Sequence, residues 1–313
     1  MRTINNEILA DINGRTFNIN TSTGEATEMI NITVPKGSIW RTPKQQQAAK
    51  EFKEAKKRQE EKEIYRRLTK NSLGNFFFVL ADNAFANLPP QTVTKLMMLC
   101  TYLWYDNTLR LSPKTTMKKS DIQNILRLSK KATYAFWHEI ENKYIIERDK
   151  KLYIADSKHI FRHKIQRNHK SEFIHYQKIY NKAIRNLYNN ISIRKHRQIG
   201  YIFKLLPYIN LEFNIFCKDP FVSEFKHIEA LTIKDLCNLI GYNVTQSSRL
   251  LKELQSLKYE HNNHAEYLLS CVQNNSNENA YDKIFLNPHF LYNGSDFKRV
   301  EILGDFYNVD SSI

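Results

Sequence analysis

Apolar and polar positions alternate weakly at the start of the chain. Ile8-Leu9-Ala10-Asp11-Ile12 and Thr16-Phe17-Asn18-Ile19 do so loosely, and Met29-Ile30-Asn31-Ile32-Thr33-Val34 more clearly. Asn13-Gly14 and Thr23-Gly24-Glu25 supply turns, so residues 1–42 read as a small β hairpin or meander that leans on something else. From Pro43 to about Lys70 the residues are good helix formers with few apolar positions (Phe52, Ile64, Tyr65, Leu68). Such a helix cannot bury much of itself. Residues 43–75 are expected to form a solvated connector, with an oligomerisation arm or a DNA-backbone arm as the other roles open to them.

From Phe76 the pattern becomes one of packed helices. Val93, Leu96, Met97, Leu99, Cys100, Leu103 and Trp104 recur at helical spacing after Pro89-Pro90. Thr115-Thr116 is expected to cap a short helix over 118–126, and Arg127-Leu128-Ser129 is a turn. Ser129 should cap a second helix over 130–143. Strand-like runs at 144–148 and 151–154 flank Asp149-Lys150. The order helix, helix, turn, helix, hairpin is that of a winged helix-turn-helix.

The order then returns. A helix carries Ile199, Ile202, Phe203, Leu205 and Leu206. A short helix is expected over 234–240, a turn at Gly241-Tyr242-Asn243, a helix over 244–257, and strands over 267–272 and 283–286 around a polar tip at 273–279. The segments after the two hairpins, 154–159 and 286–289, also run alike. The chain therefore reads as a diverged tandem repeat, mainly α with small β wings (α+β). The expected domains are residues 76–170 and 171–300, with a tail over 301–313.

Charge sharpens this picture. The 313 residues carry 47 basic and 32 acidic side chains, a net charge of +15. Residues 110–204 hold 23 basic and seven acidic groups, or +16, whereas 205–313 hold nine and fourteen, or −5. A band this basic attracts polyanions and marks a nucleic-acid face. In the first unit Ala132, Phe136 and Ile140 should pack on Ile122, Ile125 and Leu126. That leaves Lys130, Lys131, Tyr134 and His138 on the outer face, where a recognition helix meets the major groove. Lys118 and Lys119 precede it, and Arg148, Lys150 and Lys151 belong to the wing. In the second unit Leu236, Leu239 and Ile240 should pack on Leu250, Leu254 and Leu257, with Thr245, Ser248, Arg249 and Lys252 outward. Arg249 suits a guanine edge. The acidic surroundings of this copy leave protein contact as its other role.

Each unit resembles a winged-helix transcription regulator of the MarR-like type. The pair resembles phage- and plasmid-borne replication initiators of low-GC Gram-positive bacteria, in stretches such as Tyr208-Ile209-Asn210, Leu231-Thr232, Gly241-Tyr242 and Asn287-Pro288. The resemblance covers about 88–165 and 198–294. It implies DNA contact by Lys130, Lys131, Tyr134 and His138 in one copy, and by Arg249 and Lys252 in the other.

Enzyme chemistry has little support in the residues. No HExxH, P-loop, GxSxG or His-x-His occurs, and eight glycines are few for a Gly-rich nucleotide fold. His159 and His163 lack an evident carboxylate partner, and His261 and His264 flank a polar stretch, so no metal site and no cofactor is expected. Tyr176 and Tyr180 read as a helical packing stripe with Phe173 and Ile184, with base stacking as the alternative role. The four cysteines lie far apart without a CxxC pair, and neither a signal peptide nor an 18-residue apolar span is visible. A reduced, cytoplasmic, non-enzymatic DNA-binding protein is expected, as a transcriptional regulator, a replication initiator or a segregation adaptor. It would act as a homodimer, with the acidic C-terminal module open to a protein partner.

Overall fold

A computed structural model of the chain describes residues 7–29, 43–156, 158–162, 175–273, 281–294, 300, 303, 304 and 307. The chain divides into two compact units, Met1–Gln59 and Glu60–Ile313.

In the first unit β1 (Glu7–Ile12), β2 (Arg15–Asn20) and β3 (Ala26–Met29) form an antiparallel meander. Asn13 and Gly14 link β1 to β2 with φ of 53° and 76°. Two positive φ values match the right-handed twist of a two-residue hairpin, which is why this dipeptide sits there. Residues 30–34 of the expected third strand lie outside the described residues. Helix α1 (Pro43–Leu73) begins in this unit, and Phe52 along it is 72% exposed.

The second unit is a mixed α+β structure. In chain order it holds β4 (Phe76–Leu80), α2 (Pro90–Cys100), β5 (Arg110–Ser112), β6 (Thr115–Thr116), α3 (Asp121–Leu126), α4 (Lys130–Ile140), β7 (Ile145–Arg148), β8 (Lys151–Ile154) and β9 (Ile160–Phe161). There follow β10 (Tyr176–Tyr180), α5 (Asn181–Asn190), α6 (His196–Lys204), α7 (Ile233–Ile240), α8 (Ser247–Gln255), β11 (Lys258–His261), β12 (His264–Tyr267), β13 (Leu269–Gln273) and β14 (Tyr281–Leu286).

The backbone hydrogen bonds of its two halves repeat. Leu109 N–H donates to Leu152 O at 2.9 Å and Phe216 N–H to Ile284 O at 3.0 Å. Met117 donates to Leu109 O at 2.8 Å and Leu231 to Phe216 O at 2.9 Å. Ile154 donates to Asn107 O and Leu286 to Asn214 O, and both asparagines take positive φ, 62° and 53°.

The helix pairs correspond at a constant offset. Lys118 N–H donates to the Asp121 carboxylate and Thr232 N–H to that of Asp235, each closing the start of a short helix. Arg127 and Gly241 end α3 and α7 in the left-handed region, at φ 54° and 67°. Ser129 accepts from Ala132 N–H at 3.2 Å, and Asn243 from Thr245 N–H at 3.0 Å. Glu139 accepts from Thr92 of α2, and Glu253 from Gln198 of α6. A left-handed residue costs an arginine about 1 kcal/mol more than a glycine. Arg127→Gly should therefore raise stability by about 1 kcal/mol in urea unfolding and Gly241→Ala lower it by about as much. Equal stabilities for Arg127→Gly and the parent would contradict this.

The two halves share one core. Thr94 Oγ1 donates to His196 O at 2.6 Å, while the other end of α2, at Pro90, lies against Gly200 of α6. The two helices thus run antiparallel, burying Val93, Leu96 and Met97 with Ile199, Ile202 and Phe203. β4 and β10 pair antiparallel, Phe78 opposite Lys178, and β9 lies on the far side of β4. Leu291 bridges Ile179 of β10. The segment after each hairpin thus pairs with the strand that opens the same half.

His175 lies just before β10 and is 9% exposed. Gln177 Nε2–H donates to its Nε2 at 2.8 Å, so the imidazole must be neutral there. Burial pushes its pKa down to about 4. The unfolded chain then binds the proton more tightly. The native state keeps its full margin above pH 6.5 and loses it as the pH falls toward 4. At pH 5 the share of this one group is about 2 kcal/mol. His175→Phe should flatten the fall in unfolding free energy between pH 7 and 5 by that amount, and an unchanged slope would exclude His175 as its source.

Several elements differ from the sequence expectation. Thr115-Thr116 form β6 rather than a cap, and α3 starts only at Asp121, whose carboxylate accepts from Lys118 N–H. α4 ends at Ile140, not 143, and the last helix of the second half begins as a 3-10 turn, Val244–Gln246. Tyr176 and Tyr180 lie on β10, and the helix starts only at Asn181. Their partner Phe173 lies outside the described residues, as do 274–280 of the polar tip. The HNNH stretch is the tight turn of a hairpin, β11 with β12, with Asn262 and Asn263 at φ 49° and 69°.

Candidate nucleic-acid interface

α4 presents two unlike faces. Phe136, Trp137 and Ile140 are buried against α2 and α3. Ala132 is half-buried, and Lys130, Lys131, Tyr134 and His138 are exposed, Tyr134 at 72%. Trp137 belongs to the core although the sequence reading passed over it. Lys119 lies 4.6 Å from the centre of its ring, so this lysine is half-buried and held by the fold. Lys118 is exposed.

The hairpin β7–β8, next in the chain, is basic as well. Arg148 and Lys151 are paired across it, and Asp149 and Lys150 form its turn at φ 51° and 58°. Arg148, Lys150 and Lys151 are all exposed. Among the described residues none of Lys130, Lys131, Arg148, Lys150 and Lys151 has an ion-pair partner. Two lysines at the positive end of a helix raise its own energy slightly, and an anion there would relieve it.

The second copy is different. Thr245, Ser248 and Lys252 are exposed at the positions equivalent to Lys131, Tyr134 and His138. The Thr245 hydroxyl already donates to Asn243 Oδ1 at 2.8 Å. Arg249 is equivalent to Ala135, and its Nε donates to Glu253 Oε1 at 2.9 Å, one helical turn on. Glu253 also accepts from Gln198. The Glu at i+4 was the sequence signal for this pair. Leu239 is 42% exposed rather than packed on α8, and Cys237 takes the buried place beside Leu236.

Two histidine clusters correct the sequence reading. His159 does have carboxylate partners, Asp156 at 2.8 Å on Nδ1 and Asp82 at 3.1 Å on Nε2. His163 lies outside the described residues. His261 and Glu266 are buried beside the half-buried His289, the donor atoms within 4.8 Å of one another. His289 Nδ1 lies 2.9 Å from Glu266 Oε2, which also accepts from Asn287 at 2.9 Å. Burial first, and the neighbouring His289 second, hold His261 down to about 4. The His261 and His289 rings stack face to face at 4.1 Å and 16°. Two imidazoles and a carboxylate are zinc-type donors, but in stacked rings the lone pairs run side by side rather than converge. The cluster acts as a hydrogen-bonded network inside the fold.

Among the described residues no helix is long and apolar enough to cross a membrane. Compared with family models, with curated proteins and with solved structures, the chain matches none.

Proposed function

We propose that the protein is a sequence-specific double-stranded DNA-binding protein built from two tandem winged helix-turn-helix modules, with transcriptional regulation as its role. The observation that carries this reading is the exposed α4 face. It exposes Lys130, Lys131, Tyr134 and His138, and the β hairpin next in the chain exposes Arg148, Lys150 and Lys151, which have no ion-pair partner among the described residues. A helix with a cationic N-terminal turn and an adjacent basic wing suits a major groove and its flanking phosphates. α8 is the second reader, through Thr245, Ser248, Arg249 and Lys252, with Arg249 held at its Nε by Glu253. A second reading, replication initiation at repeated origin sites, is favoured by the fusion of two unlike readers in one core. Such a pair fits a non-palindromic repeat better than a palindrome. The homodimer on DNA, and a protein partner for the acidic C-terminal half, belong to the same proposal.

The test is duplex binding against salt. About five to eight phosphate contacts give a log–log slope of about −4.5 to −7. A slope near zero would end the reading. Mapping the bound sites separates the roles: promoter sites indicate regulation, and direct repeats beside an AT-rich block indicate initiation.

A further inference from the structure

A groove of about 710 Å³ lies away from both outer helix faces, and α4 and α8 contribute nothing to its lining. Its walls come from the whole length of α5, the residues just past α2, and β5 with the turn that follows it. Arg110, Arg162, Lys182 and Arg185 line it, and no described carboxylate does.

The guanidinium groups of Arg162 and Arg185 are fixed in place by neutral partners. Arg185 donates to Thr101 O and Thr101 Oγ1 at 2.9 and 2.8 Å and lies 4.1 Å from the centre of the Tyr102 ring. Arg162 donates to Leu103 O at 2.9 Å and lies over Trp104 and Tyr105. Arg110 reaches the Trp104 ring too, and it alone of the three has an ion-pair partner among the described residues, Asp106. Burial lowers the proton affinity of Arg185, and the nearby Arg162 charge lowers it further, against the pull of Tyr102. Four cations gathered with Asp106 as their one described ion-pair partner cost stability, and an anion offsets that cost.

Asn181 adds an independent sign. It lines the groove, is 9% exposed, and its Nδ2 donates to Thr101 O at 2.9 Å. That bond fixes the amide, and its Oδ1 is buried with no hydrogen-bond partner among the described residues. A buried acceptor left unpaired costs roughly 1–3 kcal/mol, and a ligand that donates a hydrogen bond would recover it.

We propose that this groove is a phosphoester-binding site that takes a nucleotide unit, its phosphate on Arg162, Arg185 and Lys182 and a hydrogen-bond donor of its base or sugar on Asn181. Guanidinium planes already stacked on rings offer their outer faces to a base, as in single-strand recognition. The ligand is either a free nucleotide or one unit of an unpaired strand. The site goes beyond duplex reading by α4 and stands or falls separately from it.

The test uses the full chain, fluorescein-labelled (dT)8 read by anisotropy, dTTP as competitor, and an unrelated duplex in parallel. Arg162→Gln with Lys182→Ala should weaken (dT)8 binding about tenfold to a hundredfold, two charge-assisted contacts being lost. Duplex affinity should change about threefold or less. Ser112→Asp with Asn189→Asp, both exposed at the rim, brings negative charge to the groove and should weaken (dT)8 binding in the same direction, which keeps the test valid if the first variant does not fold. Displacement by dTTP at concentrations comparable to (dT)8 identifies a free nucleotide as the source. Much tighter (dT)8 binding identifies a strand. Binding of neither probe, or unchanged (dT)8 affinity in a folded variant, overturns the proposal. Failure of duplex binding alone would sink the α4 reading and leave the groove standing.

Discussion

Gly200→Ala is expected to destabilise the protein by about 3 kcal/mol or more. The sign is unusual. In an ordinary helix interior the same change adds roughly 1 kcal/mol of stability, because alanine has the better helix propensity. Here a Cβ on Gly200 would lie 1.8 Å from Pro90 O and 2.3 Å from Pro90 C. Those atoms are backbone, so no side chain can rotate away. Pro90 is in addition tied down, as its carbonyl accepts from Thr94 Oγ1 at 3.3 Å. Relief requires α2 and α6 to move apart, and they carry the core shared by both halves. Overpacking costs about 1–3 kcal/mol where neighbours can yield, and more where they cannot. Urea unfolding of Gly200→Ala beside Gly241→Ala, where nothing lies within 4 Å of the added methyl and only the left-handed backbone opposes it, separates steric contact from backbone strain. A Gly200→Ala protein as stable as its parent would mean that the two helices do not meet as closely as described.

The repeat was legible because its signals are local. Asp121 and Asp235, Asn124 and Asn238, and Glu139 and Glu253 recur at one offset, and cap, turn and helix each depend on residues within four positions. What was not legible depends on distant partners. No pattern at Phe76–Leu80 announces pairing with Tyr176–Tyr180, a hundred residues away in the chain. His261, Glu266 and His289 read as scattered polar residues until a hairpin and a tight turn bring them together. Arg185 and Arg162 each looked like one more charge in a basic band. Only the fold shows them side by side without a carboxylate. Arg249 is outward as expected, and what the basic count did not reveal is the bond from its Nε to the i+4 neighbour Glu253.

The triple variant Lys130→Ala, Lys131→Ala, Tyr134→Ala should lose about a hundredfold or more in duplex affinity. Two charge-assisted phosphate contacts and one base-edge contact together carry at least 3 kcal/mol by ordinary magnitudes, roughly 1–3 kcal/mol each. The salt slope should become shallower by about 2, because two phosphate neutralisations are lost. The change in stability should run the other way. All three side chains are exposed, the Ser129 cap stays in place, and the packing of Phe136, Trp137 and Ile140 is untouched. Removing two cations from the positive end of α4 should stabilise the helix by about 0.3–1 kcal/mol per charge. A protein that melts no lower than its parent yet binds duplex far more weakly would show that the lysines are kept for a ligand and not for the fold. Thr245→Ala with Ser248→Ala provides the comparison in the second copy, where no charge is removed and the slope should stay as it was. Full duplex affinity in the α4 variant would move the interface elsewhere on the molecule and end the reading of α4 as the recognition helix.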